Sequence, residues 1–153
     1  DYLRFVNYYI HQVNLMRHLF GEDYEVTHAD PAGVLLVARS AGGVPGIIEM
    51  QAYQTSRDWQ ETALVCFERG WVRVELPAPV SVSRAGRVTF FRDPGPGAEP
   101  QMVEPVLPTV SAMQQQAANF LKAVRGEAAA PCLAPEALRD LVVARDYVRL
   151  FWG

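Results

Sequence analysis

Between residues 24 and 92 the chain offers short apolar runs with only turn-length gaps between them, and this limits the available folds more than any other feature. The runs are 24–29, 33–39, 46–54, 61–68, 71–76, 80–84 and 87–92, rich in Val, Ile, Phe and Tyr. SAGG at 40–43, ERGW at 68–71 and RAGR at 84–87 separate them with hairpin-type chemistry. Parallel neighbours need a crossover of a dozen or more residues, and no gap here is long enough for one. The runs therefore predict an antiparallel meander, with helices placed before and after it.

Several of the runs lack a polar side. GVLLVA and ALVCF are apolar on both faces, whereas IIEMQAY sets Glu49, Gln51 and Tyr53 opposite Ile48, Met50 and Ala52. A strand apolar on both sides implies cover on both sides, and the predicted helices are too few to supply it. A second subunit or a further domain against the open face is the expected remedy. Cys66 lies within ALVCF and is expected to act as a small buried hydrophobe. Two cysteines alone do not make a disulfide framework, so reduced thiols and a cytoplasmic setting are expected.

Three helices are expected. In the first, residues 6–20, steps of 100° bring Val6, Tyr9, Ile10, Val13, Met16 and Phe20 onto one broad face, and Gly21 is placed to end it. SAMQ at 111–114 has the form of a capping box opening a second helix with Met113, Ala117, Phe120, Leu121 and Val124 inside and Gly126 closing it. Pro135 suits the first turn of a third, which should turn Leu138, Leu141, Val142, Val148 and Phe151 inward. DPGPGAEPQMVEPVLP, residues 93–108, is expected to be an irregular excursion. At 153 residues, half hydrophobic and a fifth charged, the chain suits one domain. A net charge of −3 gives no reason to expect a nucleic acid or an anionic membrane as partner. No apolar run approaches the eighteen or so residues of a membrane span, and no signal-peptide pattern is present.

The first helix also carries an unusual stripe. Asn7, His11, Asn14 and His18 fall within about 60° of one another, uncharged but polar. A histidine held by an amide one turn away is suited to proton transfer near neutral pH; the same spacing also fits a merely hydrogen-bonded core histidine. His11 and His18 are seven apart, and neither HExxH nor a paired CxxC accompanies them, so no metal site is expected. GxGxxG, GxxxxGK[ST] and GxSxG are all absent. Trp59 in SRDWQE is placed either to stack on a ring or to plug a core edge.

In order and spacing these segments resemble the C-terminal domain of the Gfo/Idh/MocA oxidoreductases, the group of glucose-fructose oxidoreductase and inositol dehydrogenase. IHQVNLMRHLFG is similar to the family's GxHxxDLLRWLLG helix, GVLLVARSAGGVPGIIEMQ to its substrate-side hairpin, and WQETALVCFERGWVRVELP to its W-x-E…G-x-x-G-x-L-x-V segment. QQQAANFLKAVRGEAAAP and EALRDLVVARDYVRL resemble the closing helix pair. The resemblance implies an α+β fold, an open, mostly antiparallel β-sheet with helices packed on one face. It implies that residues 1–153 are a substrate and oligomerisation domain, cut from a longer protein whose N-terminal Rossmann domain binds NAD or NADP. His11 matches the family's substrate-facing histidine; Asn7 and Asn14 stand where the family has Asp. The implied roles are catalysis by His11 with Asn7 orienting it, and substrate contacts from Asn14, Gln51 and Tyr53. The implied ligand is a sugar, polyol or related hydroxylated compound, the implied assembly a homo-oligomer through the sheet face. The chain alone should be inactive. A noncatalytic dimerisation or ligand-binding module is the rival reading.

Overall fold

The apolar arc of the first helix and the two-residue alternation of the first strands meet in a single core. The computed structural model describes residues 2–50 and 59–153. In chain order its elements are α1 (Tyr2–Phe20), β1 (Tyr24–Ala29), β2 (Leu35–Ser40), β3 (Pro45–Glu49), β4 (Thr62–Phe67), β5 (Gly70–Glu75), β6 (Arg87–Arg92), β7 (Gln101–Val103), α2 (Ala112–Val124) and α3 (Ala134–Trp152). The fold is α+β, with two open antiparallel sheets ordered β1-β2-β3 and β4-β5-β6-β7. The chain divides into two units: Asp1–Gln54 with Cys132–Gly153, and Thr55–Pro131.

In the first unit α1 and α3 pack together against the three-stranded sheet. Leu36 stands opposite Ile48, and Ala38 opposite Val26, so these side chains share the covered face. They join Phe5, Val13, Met16, Met50, Val143, Ala144 and Tyr147 in the core. The Phe5 and Tyr147 rings stack at 4.5 Å, tying the two helices. A register shift between Val26 and His28 lets Ala29 return to the face of Leu36, as an extra bulge residue does. Gly46 allows α1 to approach β3 closely, since a Cβ there would lie 2.6 Å from the Phe20 ring. Gly21 ends α1 at φ 70°, as expected of a left-handed helix terminus.

α1 starts earlier than the apolar pattern indicates, which brings Phe5 into the core. α3 presents only part of the face expected: Val148 packs against the core and Phe151 stacks on Tyr147, but the leucines do not turn inward. Asp140, Val143, Ala144 and Tyr147 are buried, while Leu138 is 62% exposed and Leu141 and Val142 also face outward. The reason is electrostatic. Arg17 of α1 is 9% exposed and Asp140 of α3 only 3%, and the two form an ion pair between the helices. A buried guanidinium is tolerable only with such a partner, so the pair dictates which side of α3 turns inward.

In the second unit four strands pair in sequence order, all antiparallel. Gly70 makes the hairpin between β4 and β5 close against β6, where a Cβ would lie 2.2 Å from the Phe91 carbonyl oxygen. The strand expected at 80–84 does not form. Pro77 and Pro79 lack N–H donors, and Ser81 N–H bonds Ala78 O at 2.8 Å in a turn. Conversely, the Pro/Gly excursion contains β7, whose Met102 pairs with Phe91. Ser111 caps α2, its Oγ accepting from Gln114 N at 3.5 Å, yet no side chain of α2 is buried. Met113, Phe120, Leu121 and Val124, expected inside, are exposed, as is Cys66. Every fully buried side chain among the described residues belongs to the first unit.

Asp140→Ala strands the buried Arg17 charge and is expected to cost about 3–5 kcal/mol in denaturant unfolding. Glu75→Ala cuts an Arg73–Glu75 pair of 3.2 Å between half-exposed side chains and should cost less than about 1 kcal/mol. Equal losses would show that the interhelical pair does not anchor the first unit.

Candidate functional site

α1 is fixed along its length by hydrogen bonds from or to its neighbours. Tyr2 OH donates to Leu141 O at 3.4 Å, and Tyr9 OH to Met50 O at 3.0 Å. Tyr24 OH of β1 donates to Val13 O at 2.9 Å, and Arg17 Nη1 to Glu136 O at 3.0 Å. Burial, followed by the Asp140 charge, pushes the Tyr24 phenol well above its ordinary range, against the opposing effect of Arg17; it therefore stays a neutral donor. Such clamps give a helix the rigidity that a binding face needs.

On this fixed helix Asn7, His11 and His18 are exposed and Asn14 is partly buried. His11 is thus open to solvent. Asn7 is one turn away, but among the described residues no hydrogen bond joins the two side chains. Asn7 instead lines an open depression of about 750 Å³ together with Leu3, Arg4, Val6 and Tyr8. Asn14 turns toward α3, its Nδ2 donating to Asp140 Oδ2 at 2.8 Å and approaching Cys132 Sγ at 3.6 Å. Burial raises the Asp140 carboxyl above the usual carboxylate range, while the Asn14 amide and the Arg17 guanidinium pull it back. The stripe is therefore split, with Asn14 committed to a structural partner and His11 left accessible.

Gln51 and Tyr53 lie outside the described residues. Glu49 ends β3 and is exposed. Trp59 is 45% exposed and its Nε1 donates to Glu61 Oε2 at 3.2 Å. Among the described residues no group of three or more His, Cys, Asp or Glu side chains is placed to hold a metal ion, and no helix is long and apolar enough to cross a membrane. The Arg17–Asp140 pair escaped the sequence reading although one sign was present: at 100° per residue Arg17 falls inside the apolar arc of α1. A charge in that arc requires a buried partner.

No family model matches the chain, and no curated protein matches it. Solved structures do share its fold. A candidate NADPH-dependent oxidoreductase of Desulfitobacterium hafniense is similar with a TM-score of 0.66 and 11% identity, over 92% of this chain and 43% of its own. A lysine-to-glutamate variant of KijD10, a 3-ketoreductase from Actinomadura kijaniata solved with TDP-benzene and NADP, gives 0.61 and 12% over 94% and 45%. The candidate oxidoreductase YvaA of Bacillus subtilis gives 0.53 and 10% over 94% and 47%. The chain therefore spans less than half the length of the structures it matches. The class these findings define is a fold that oxidoreductases contain as one part, two of the three being linked to NADPH or NADP by name or bound ligand.

His11→Ala and Asn7→Ala are expected to leave unfolding free energy within about ±0.5 kcal/mol of the parent, as exposed positions do. A loss above about 2 kcal/mol at His11, read by chemical denaturation, would place the ring in the packing and not on an open face.

Proposed function

We propose that this chain is the substrate-binding and oligomerisation half of an NAD(P)-dependent oxidoreductase of the Gfo/Idh/MocA type, acting on a sugar, polyol or related hydroxylated compound. The observation that carries the proposal is the exposed His11 on a helix clamped at several heights, within a fold that oxidoreductases share. His11 takes the proton from the hydroxyl whose carbon is oxidised, which an imidazole does well near neutral pH. Asn7 lies four residues before it and offers a neutral amide to orient ring or substrate, Gln51 and Tyr53 remain candidates for substrate contact, and Asn14 faces the same side of α1. The sequence has no glycine-rich cradle opening a helix, so the dinucleotide is held mainly by a nucleotide-binding domain outside these residues. That cofactor supplies the hydride acceptor, and the chain by itself is inactive.

The second part of the proposal is a homo-oligomer through the four-stranded sheet. Leu64, Cys66, Trp71, Phe91 and Met102 share one face by register. Leu64 is 62% and Met102 67% exposed, an apolar area that needs cover. The rival reading, a noncatalytic dimerisation or ligand-binding module, draws on the same face and on the absence of a carboxylate at positions 7 and 14.

In the full-length protein, His11→Ala should lower NAD(P)-linked turnover by about 10² or more, with near-normal turnover removing His11 from the mechanism and favouring the module. A G-x-G-x-x-G segment between a strand and a helix upstream of Asp1 supports the enzyme; a coding sequence without one rejects it. For the assembly, light scattering should give a mass above the monomer that falls on Leu64→Lys. A strict monomer at high concentration would contradict the oligomer.

A further inference from the structure

The turn between β2 and β3 hangs on the short connection from α1 to β1. Ser40 Oγ accepts from Val44 N at 3.0 Å, and Ser40 is only 4% exposed. A buried hydroxyl that accepts one bond still has a proton to place, and Ser40 places it on the Glu22 carboxylate. The same carboxylate accepts from Gly42 N at 2.8 Å through Oε1. Beside it Ala41 N donates to Asp23 O at 3.0 Å. Ser40, Ala41 and Gly42 are thus all tied to Glu22 and Asp23. The approach is close enough that a Cβ at position 42 would lie 2.8 Å from Glu22 Oε1, so a side chain there would push the carboxylate away. The charged groups around this junction are engaged elsewhere. Asp23 meets Arg139 at 3.1 Å and Arg17 at 3.7 Å, while Arg39 on β2 donates to Gly43 O at 2.8 Å and stands opposite Glu25. His18 lies in the last turn of α1, and among the described residues no basic side chain pairs with Glu22. The Glu22 charge is therefore held by neutral donors alone.

We propose that Glu22 is an acid-released latch: as a carboxylate it holds the β2–β3 turn against the end of α1, and on protonation it lets the turn go. A neutral carboxyl is a weaker acceptor and brings a proton of its own, so it cannot hold the Ser40 and Gly42 donors as well. The Ser40 hydroxyl, then the Gly42 amide, keep the Glu22 carboxyl below its ordinary range, against the opposing effect of burial. The latch is therefore closed above the usual glutamate range and opens as pH falls through the lower value of the folded protein. Just beyond the turn Arg39 stands opposite Pro45 and Ala38 opposite Gly46, so opening frays the hairpin from that end. At the other end Leu36 faces Ile48 within the core and Met50 N donates to Val34 O at 2.7 Å, and that end stays shut. The release is a local opening of one turn, not an unfolding of the unit.

The test follows backbone amide signals of the isotope-labelled full-length protein from neutral to acid pH. The Gly42 amide proton should move upfield with a midpoint below the ordinary glutamate value. Over the same range hydrogen-exchange protection at Gly42 and Val44, corrected for intrinsic rates, should fall about tenfold, while Met50 keeps its own. Glu22→Gln keeps the shape and removes the charge. It should abolish the Gly42 titration and leave Gly42 and Val44 as weakly protected at neutral pH as the parent is in acid. Gly42→Ala should loosen Val44 in the same way, and Asp23→Asn should leave the Gly42 titration in place. A Gly42 titration that survives Glu22→Gln overturns the latch, as does parental protection in that variant at neutral pH. A midpoint of about 6.5 assigns the change to His18 and overturns it too. Loss of protection at Met50 together with Gly42 shows Glu22 supporting the whole unit and overturns a local release.

Discussion

The contact on which the first unit depends is the ion pair between Arg17 and Asp140. Both groups are nearly excluded from water, where an unpaired charge would cost several kcal/mol. Each is hydrogen-bonded beyond the pair, Arg17 to Glu136 O and Asp140 to Asn14, and these further bonds make the burial tolerable. Because the partners sit on α1 and α3, far apart in sequence, the pair sets the rotation of both helices about their axes. The inward face of α3, the seating of α1 on the sheet and the outward aim of His11 all follow from that one registration.

Much of the fold was legible because it obeys local rules. The antiparallel meander was visible in gaps too short for crossovers, and Gly21, Ser111 and Pro135 marked helix boundaries through backbone and capping requirements that a few residues decide. Illegible features were those in which a distant partner wins over local preference. Leu138, Leu141 and Val142 make a plausible apolar face on α3, yet Asp140 turns inward because Arg17 is there. VSVS at 80–83 alternates as a strand should, but the prolines at 77 and 79 deny it a ladder. β7 hides in a segment dominated by Pro and Gly because its three residues find pairing with β6.

The candidate site divides along the same line. That Asn7, His11 and Asn14 share a side of α1 follows from helical geometry alone. Which of them remains available to a ligand does not, since Asn14 is claimed by Asp140, a residue 126 positions away. Asn at position 14 reads as a lost carboxylate when α1 is considered by itself. Beside α3 it reads as the amide required by a carboxylate already present.

The two units also differ in how they satisfy the hydrophobic effect. The first buries its core between two helices and a sheet; among the described residues the second has no fully buried side chain, although one end of a sheet face sets Cys66, Trp71, Phe91 and Met102 side by side, with Leu64 beyond them opposite Arg73, and α2 carries an apolar stripe. Strands such as β4 and β5 bury little when only one layer is present, and exposed Leu64, Phe67, Met102 and Phe120 keep that area in water. Burial is worth roughly 25 cal/mol per Å² of apolar surface, so covering a few such side chains supplies several kcal/mol toward association before its entropic cost. A unit of this kind gains most from a partner that presents a similar apolar sheet, because aligned sheets interdigitate their side chains across about 10 Å. The same sequence that leaves His11 exposed on one unit thus leaves the other with apolar side chains still in water.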